Sequence, residues 1–227
     1  MEPQKRLPAI AAQVEGRVLA DIGTDHAYLP IALCLENKIE RAIASDIHKG
    51  PLERAKAHIA AHGLASRIET RLGAGLSTLA PGEADCCVVA GMGGLMITDM
   101  LAADMETAKR FDLLVLQPQR DIYEVRRFLT GNGFSIEKEK MLVEDGKFYN
   151  IMAVRPRIEK EAYTEAELYF GRQLLRSGDE TLRVWLETER IRVTRALEML
   201  TQAEKHTPRL AKLTEYEALC REAMEWE

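Results

Sequence analysis

The residues best suited to binding and chemistry form one short run, Asp21-Ile22-Gly23-Thr24-Asp25-His26-Ala27, which directly follows a predicted strand. A ligand at the carboxyl end of a parallel strand lies against the backbone, and glycine permits that close approach. A dinucleotide fingerprint reads G-x-G-x-x-G, whereas this run contains the single glycine Gly23. NAD binding is therefore the weakest cofactor option. His26 could accept a proton or hold the cofactor loop.

A second acid, Asp46, closes the next predicted strand and lies 25 residues after Asp21. This is close to the spacing at which an acid reaches ribose hydroxyls in nucleotide-binding sheets. The two carboxylate oxygens can accept hydrogen bonds from both hydroxyls. An isolated acid at a strand end more often caps a loop, but together with the first run Asp46 favours a ligand that contains a ribose.

Candidates for contact with the other reactant follow the later strands. Gln117 ends the fifth predicted strand, and its amide can both donate and accept hydrogen bonds, although a strand-end glutamine often only caps a loop. Tyr149 could stack on a bound ring or pack on the sheet. The candidate catalytic residues are His26 and Gln117. The candidate substrate-binding residues are Met92, Gln117, Pro118, Tyr149 and Asn150.

Alternating strands and helices must position these residues, which is the pattern of a parallel α/β sheet. Apolar runs predict five parallel strands, at 17–22, 41–46, 68–72, 84–90 and 112–117. The helices predicted between them are 28–36, 51–62 and one that opens after the glycine-rich turn 91–94. Two extended stretches, 134–143 and 148–155, flank Asp145-Gly146, a pair that favours a hairpin turn. The sheet is expected to end in an antiparallel pair.

The pattern changes after Pro156 and becomes purely helical. Three helical stretches are predicted, at 164–176, 179–205 and 208–225, with natural breaks at 177–179 and 206–208. We therefore expect a sheet domain at residues 1–156 and a helical hairpin, resembling a short coiled coil, at residues 157–227.

Composition fits a soluble globular protein, with 46% apolar and 30% charged residues in 227. No apolar run reaches the roughly 18 residues of a membrane span, and no signal-peptide pattern is present, so a cytoplasmic location is expected. The four cysteines lack the spacing of a zinc site and are expected to be reduced, mostly buried thiols, with no metal. Because the net charge is −5, any nucleic-acid surface must be a local patch.

Six motifs in order resemble one enzyme family: DIGTDHAYLP, IASDIHKGPL, RLGAGL, VVAGMGGLMI, LVLQPQ and KFYNIM. They are similar to the bacterial tRNA (adenine(22)-N1)-methyltransferases, which are class I S-adenosylmethionine-dependent enzymes. The resemblance continues into the helical part at Tyr163, Glu167, Phe170, Gly171, Leu174 and Leu175. It implies a Rossmann-like catalytic domain, a C-terminal coiled-coil domain, and methyl transfer from S-adenosylmethionine to N1 of adenine 22 in tRNA.

The resemblance also implies which residues hold the cofactor, with the loop 73–76 contacting its adenine through backbone groups. An ordinary glycine turn is the other interpretation of that loop. The candidate cofactor-binding residues are Asp21, Gly23, Thr24, Asp25, His26, Asp46, Ile47, Ala74, Gly75 and Gly91. The run 90–94 lacks the Asn/Asp-Pro-Pro-aromatic motif of many base amino-methyltransferases, which favours a ring nitrogen. Since N1 already carries an in-plane lone pair, positioning is expected to matter more than a strong base.

The helical part carries six arginines that could grip phosphates or merely pair with acids on a solvated face. They are Arg172, Arg176, Arg183, Arg190, Arg192 and Arg195. We expect acid pairing for most of them and RNA contact for two or three.

Other assignments stay open at this point. A methyltransferase for another RNA base, a small molecule or a protein would show methylation that is indifferent to this tRNA site. A non-catalytic RNA-binding protein could keep a Rossmann-like core, although it would have no need of Gly23 and Asp46. No obligate protein partner is implied.

Overall fold

The computed structural model describes residues 5–200 and 208–226. Seven strands form one sheet in the order β3-β2-β1-β4-β5-β7-β6. Their bounds are Val18–Ile22 (β1), Arg41–Asp46 (β2), Ile68–Leu72 (β3), Cys86–Met92 (β4), Leu113–Pro118 (β5), Ser135–Glu144 (β6) and Lys147–Arg155 (β7). The first five strands are parallel, and β7 pairs antiparallel with both β5 and β6. The predicted parallel sheet with a closing antiparallel hairpin is confirmed.

Helices cover both faces of the sheet, as expected for parallel strands that are buried on each side. Their bounds are Arg6–Gln13 (α1), Tyr28–Leu35 (α2), Lys49–Ala61 (α3), Gly94–Ala103 (α4), Met105–Ala108 (α5) and Ile122–Gly131 (α6). Apolar side chains of α1, α2 and α3 pack on one face, and those of α4, α5 and α6 pack on the other. The carboxyl ends of the parallel strands share one edge, where Asp21, Asp46 and Gln117 are found.

The first helix, α1, is absent from the sequence-based prediction. Its start is held from far along the chain, because the backbone N–H groups of Lys5 and Arg6 both donate to Glu144 Oε1, at 2.6 and 2.9 Å. A carboxylate at a helix N-terminus satisfies unpaired N–H groups and complements the helix dipole. The tip of the closing hairpin therefore fixes α1 across the carboxyl edge of the sheet.

The C-terminal part contains four helices in the described residues: Glu165–Phe170 (α7), Arg172–Ser177 (α8), Glu180–Glu198 (α9) and Pro208–Met224 (α10). They share an apolar core with Met141 and Phe148 of the hairpin strands, which confirms packing against the sheet. The predicted break at 177–179 is present. The predicted end of the long helix and the break before Pro208 lie partly outside the described residues.

The prediction of one helix over 164–176 is wrong, because the chain breaks at Gly171. Gly171 has φ +95, and a Cβ there would lie 2.6 Å from Glu139 Oε2 and 2.8 Å from Arg126 Nη2. Only glycine tolerates both that backbone conformation and that approach. The break thus makes room for an ion pair that comes from the sheet domain.

That ion pair joins the two parts of the molecule. Arg126 of α6 and Glu139 of β6 are each 1% exposed, with Nε 2.7 Å from Oε1. Arg126 Nη1 also donates to the carbonyl oxygens of Leu168 and Tyr169, which end α7. Because a cation at a helix C-terminus satisfies terminal carbonyls, Arg126 stabilises α7 as well as the interface.

Arg172, one of the arginines considered for RNA contact, is buried instead. Its guanidinium pairs with Glu167 at 2.7 Å, donates to the carbonyls of Glu161 and Ala162, and lies 3.7 Å from the centre of the Tyr163 ring. It therefore holds the segment between β7 and α7 against the first helices of the C-terminal part. Arg176 and Arg192 form ion pairs with Glu161 and Glu189, which is the acid pairing expected from the sequence for most of these arginines.

All four cysteines are buried and free, as predicted. Within residues 5–200 and 208–226, no helix is long and apolar enough to cross a membrane.

Candidate active site

Asp21, the residue before the end of β1, is a buried carboxyl with few hydrogen-bond partners. Thr24 Oγ1 donates to its Oδ2 at 2.6 Å. Burial, together with the charge of nearby Asp46, raises the pKa of Asp21 to about 6, against the lowering effect of the Thr24 hydrogen bond. No cation among the described residues contributes to that pKa. The sheet edge thus holds a negative charge that the protein does not neutralise.

The loop after Asp21 is shaped by backbone conformations that side chains seldom adopt. Gly23 has φ +76, and a Cβ there would lie 2.3 Å from Met92 Cε. The non-glycine residues Asp25 and Ala27 also have positive φ, at +49 and +58. Such left-handed residues cost conformational energy and cluster at functional sites. Because the N–H groups of Gly23 and Thr24 both donate to the Ser45 carbonyl, the loop is tied to β2.

Asp46 ends β2 beside this loop and is also buried. Its Oδ1 accepts from the His48 N–H at 2.8 Å, and its Oδ2 lies 3.4 Å from the Asp25 nitrogen. Backbone donors thus orient the carboxylate, which keeps free acceptor capacity. The next residue, Ile47, is 61% exposed, although it is large and apolar.

His26 lies within a cluster of three rings. Its ring centre is 5.2 Å from that of Tyr28 and 5.4 Å from that of His58. His26 Nε2 lies 3.6 Å from Asp25 Oδ1, and Asp25 also accepts from Arg54 at 3.2 Å. His26 Nδ1 is buried and has no hydrogen-bond partner among the described residues.

A cavity of about 160 Å³ brings the first run together with the β4 turn. Its lining includes the candidates Asp21, Thr24, Asp25, His26 and Gly91, with Arg6 and other residues of α1 across from them. The remaining cofactor candidates do not line this cavity; they are Gly23, Asp46, Ile47, Ala74 and Gly75. Ala74 and Gly75 occupy the loop after β3, where the Gly73 N–H donates to the Asp46 carbonyl.

Gln117, the strand-end glutamine of β5, is fully buried beneath Arg6. Arg6 Nη1 lies 3.5 Å from Gln117 Oε1, while Gln117 Nε2 donates to the Pro118 carbonyl at 3.0 Å. The Arg6 guanidinium also lies 5.0 Å from the centre of the Tyr149 ring. Arg6 therefore connects the cofactor-side cavity with two substrate-side candidates.

Sequence reasoning missed Arg6. Its place in the site depends on Glu144, 138 residues away, which holds the start of α1. The only local signal was a basic residue in a short apolar segment, which is too common to identify a site.

Asn150, expected in the substrate site, does not lie with the other candidates in this structure. Side chains alternate along β7. Tyr149 packs toward α1, α2 and α3, whereas the Asn150 amide faces the opposite side, where its Oδ1 lies 3.5 Å from Arg126 Nη2. Asn150 thus belongs to the junction between the two parts. Met92 and Pro118 pair in register at the ends of β4 and β5.

Comparison with known proteins gives a consistent family. A sequence profile of the tRNA (adenine(22)-N(1))-methyltransferases matches residues 19–218. The tRNA (adenine(22)-N(1))-methyltransferase of Bacillus subtilis strain 168 is 38% identical over 168 residues, which are 74% of this chain and 71% of that protein. The profile match begins after α1, so Arg6 lies outside it.

Solved structures resemble both parts of the chain. The crystal structure of the B. subtilis m1A22 tRNA methyltransferase has a TM-score of 0.88 and 29% identity, and the match covers 99% of each chain. A Streptococcus pneumoniae protein proposed to be a tRNA (m1A22) methyltransferase was solved with S-adenosyl-L-methionine. It has a TM-score of 0.87 and 30% identity, over 98% of this chain and 99% of that one.

Proposed function

This chain belongs to the tRNA (adenine(22)-N(1))-methyltransferase family, and from that membership we propose that it methylates N1 of adenine 22 in tRNA with S-adenosylmethionine as the methyl donor. The observation that carries the proposal is the pair of buried carboxyls, Asp21 and Asp46, at the carboxyl edge of the sheet. A buried charge without a partner is costly, so such groups persist where a ligand supplies the partner.

The residues present fit this cofactor by their chemistry. S-adenosylmethionine carries an ammonium and a sulfonium, and an unpaired Asp21 suits a cationic ligand at the enclosed end of the cavity. Asp46, oriented by backbone donors, suits two ribose hydroxyls. Exposed Ile47 offers an apolar surface to the adenine ring, and the loop of Ala74 and Gly75 offers backbone groups to its edge. Gly23 leaves room for the Met92 side chain, whose Cε a Cβ there would approach to 2.3 Å.

Tyr149 and, once Arg6 moves aside, the buried Gln117 are the groups that would meet the target base. The target adenine must leave its stack to reach them, as in other enzymes that modify bases. The Gln117 amide keeps one free N–H and one free lone pair after its contacts with Pro118 and Arg6. We assign that lone pair to the exocyclic amine of adenine, an interaction that leaves N1 free.

The bound cofactor supplies an electrophilic methyl group, and N1 of adenine supplies the electron pair for the new bond. The positive charge then passes to the adenine ring, so no proton needs to be removed for the bond to form. Gln117 and Tyr149 orient the base, and His26 holds the loop of Asp21 and Asp25. Positioning of this kind accounts for the catalysis without a general base.

The helical part, residues 157–227, would then contact the tRNA outside the target base. Action on tRNA agrees with the cytoplasmic location that the sequence predicts.

The test is methyl transfer from labelled S-adenosylmethionine to an unmodified bacterial tRNA transcript with adenine 22, beside a transcript with that base replaced. We expect label in the first transcript alone, at N1 by nucleoside analysis. The Asp46→Ala variant should lose cofactor binding, measured by calorimetry without tRNA. Label in both transcripts would show that the methylated base is another base of the tRNA. Label in neither transcript, with the cofactor still bound, would favour a small-molecule or protein acceptor.

A further inference from the structure

The helical part contains a groove that the active site does not use. It encloses about 580 Å³ between α9, α10 and the end of α7. Its lining includes the cations Arg192, Arg209 and Lys212 and the aromatic residues Tyr169 and Tyr216. No acidic side chain of the described residues lines it. In a chain with a net charge of −5, this is a local reversal of charge.

Two of the cations are free to bind an anion. Arg209 and Lys212 are exposed and lie three residues apart, on one side of α10. Within the described residues, neither forms an ion pair. Arg192 differs from these two cations because it forms an ion pair with Glu189, with Nη2 2.6 Å from Oε1. Glu189 also accepts a hydrogen bond from the Tyr216 hydroxyl at 3.1 Å. Its carboxylate is therefore already bound by two residues of the groove wall.

Aromatic rings connect the groove with the catalytic part. The Tyr169 ring lies 5.2 Å from that of Tyr216 and 4.4 Å from that of Tyr123. Tyr123 is the second residue of α6, which follows the strand that ends in Gln117 and Pro118. Exposed Arg120 precedes α6 and lies 3.6 Å from Asp121, and Glu165 accepts from the Tyr123 hydroxyl at 3.2 Å. An aromatic path thus connects the two regions, whereas Arg209 and Lys212, which form no ion pair within the described residues, lie in the groove.

We propose that this groove binds the sugar-phosphate backbone of the tRNA whose base enters the active site, with Arg209 and Lys212 as the phosphate contacts. The proposal rests on the proposed function and assigns the RNA contact to α10. It adds these two cations to the six arginines singled out in the sequence, of which Arg172 is buried and Arg176 and Arg192 are paired. Cations on an otherwise acidic protein suit backbone recognition, in which each phosphate contact releases counterions. The tyrosines suit contact with sugars or unpaired bases.

The experiment measures tRNA affinity of the full chain at several salt concentrations, with an unmodified tRNA transcript as the probe. The variant is Arg209→Glu with Lys212→Glu, both exposed and outside the apolar core. The matched control is Arg183→Glu with Arg190→Glu, which makes the same charge change at two exposed arginines of α9 outside the groove lining. Binding of S-adenosylmethionine to each protein checks that the fold and the cofactor site are intact.

We expect the groove variant to bind tRNA at least ten-fold more weakly, while the control changes by less than half as much on a logarithmic scale. The slope of log K against log salt should fall by about 1.4–1.8, which corresponds to two lost phosphate contacts. Equal losses of tRNA affinity in both variants would overturn the proposal, because the overall charge of the protein would then explain the binding. Unchanged affinity in the groove variant would also overturn it. If the wild-type chain neither binds nor methylates tRNA, the proposed function itself fails.

Discussion

Two regions of this molecule bury carboxylates, and they treat them in opposite ways. At the junction of the two parts Glu139 is paired with buried Arg126, and just inside the helical part Glu167 is paired with buried Arg172. At the sheet edge, Asp21 and Asp46 are buried with only a hydroxyl and backbone N–H groups as partners. Complete pairing is what a permanent interface requires. Incomplete pairing marks a place where a ligand with the missing charge is expected to bind.

The largest expected effect lies at the junction. Glu139→Ala leaves Arg126 buried without its counter-charge, which should lower the free energy of unfolding by about 3–5 kcal/mol. Urea unfolding monitored by circular dichroism measures the loss. The double variant Arg126→Met with Glu139→Leu should recover most of it, because no lone charge then remains buried. A loss below about 1 kcal/mol in the single variant would show that this pair resembles a surface ion pair.

At the sheet edge, removing a charge should act in the opposite direction on stability. Asp21→Asn keeps the size of the side chain but relieves an unpaired buried charge. We expect the ligand-free protein to gain about 1–3 kcal/mol at pH 8. We also expect S-adenosylmethionine to bind roughly 10- to 100-fold more weakly, since a charged partner is lost. If the variant is destabilised and binds the cofactor normally, Asp21 belongs with the structural carboxylates.

The pH dependence sharpens the same contrast. The pKa of Asp21 is raised to about 6 in the folded protein, so the stability linked to its protonation is present at low pH and is lost as the pH rises through 6. The gain from Asp21→Asn should therefore grow between about pH 4 and 6 and then level off. Burial tends to raise the pKa of Glu167, but Arg172 and the Thr164 backbone lower it overall. The stability from Glu167 is therefore lost as the pH falls below about 4.5. Unfolding curves at each pH measure both trends.

A smaller effect is expected at Arg6, which connects the cavity to the substrate side. Arg6→Ala removes the contacts that orient the Gln117 amide and the Tyr149 ring, and should lower kcat/KM for tRNA about ten-fold, which corresponds to one hydrogen bond from a charged group. Arg17→Ala is the control, because Arg17 is exposed and pairs with Glu40 at the start of β1. Equal activity of the two variants would remove Arg6 from the site.

The strands and most of the cofactor-side candidates could be predicted because their signals are local. Buried parallel strands give apolar runs, and a loop that approaches a ligand gives Gly23 and its polar neighbours. The side of β7 that Asn150 occupies could not be predicted, because alternation fixes the relation between neighbours but not which face meets the cavity. Arg6, Gly171 and the burial of Arg172 depend on contacts between distant segments. The choice of Arg209 and Lys212 over the α9 arginines likewise needs the fold.

Arg126 also fixes the distance between the two parts of the molecule. Its side chain holds α6, β6 and the end of α7 in one buried contact, so the two parts cannot hinge there without stranding a charge. The span between the methyl-transfer cavity and the helical part is thereby set by covalent geometry and packing. If the groove binds the tRNA backbone, an extra nucleotide between the bound phosphates and the target base would bring the wrong base to the cavity. The enzyme would then select its substrate by the spacing between these two points of the tRNA as well as by the chemistry of the base.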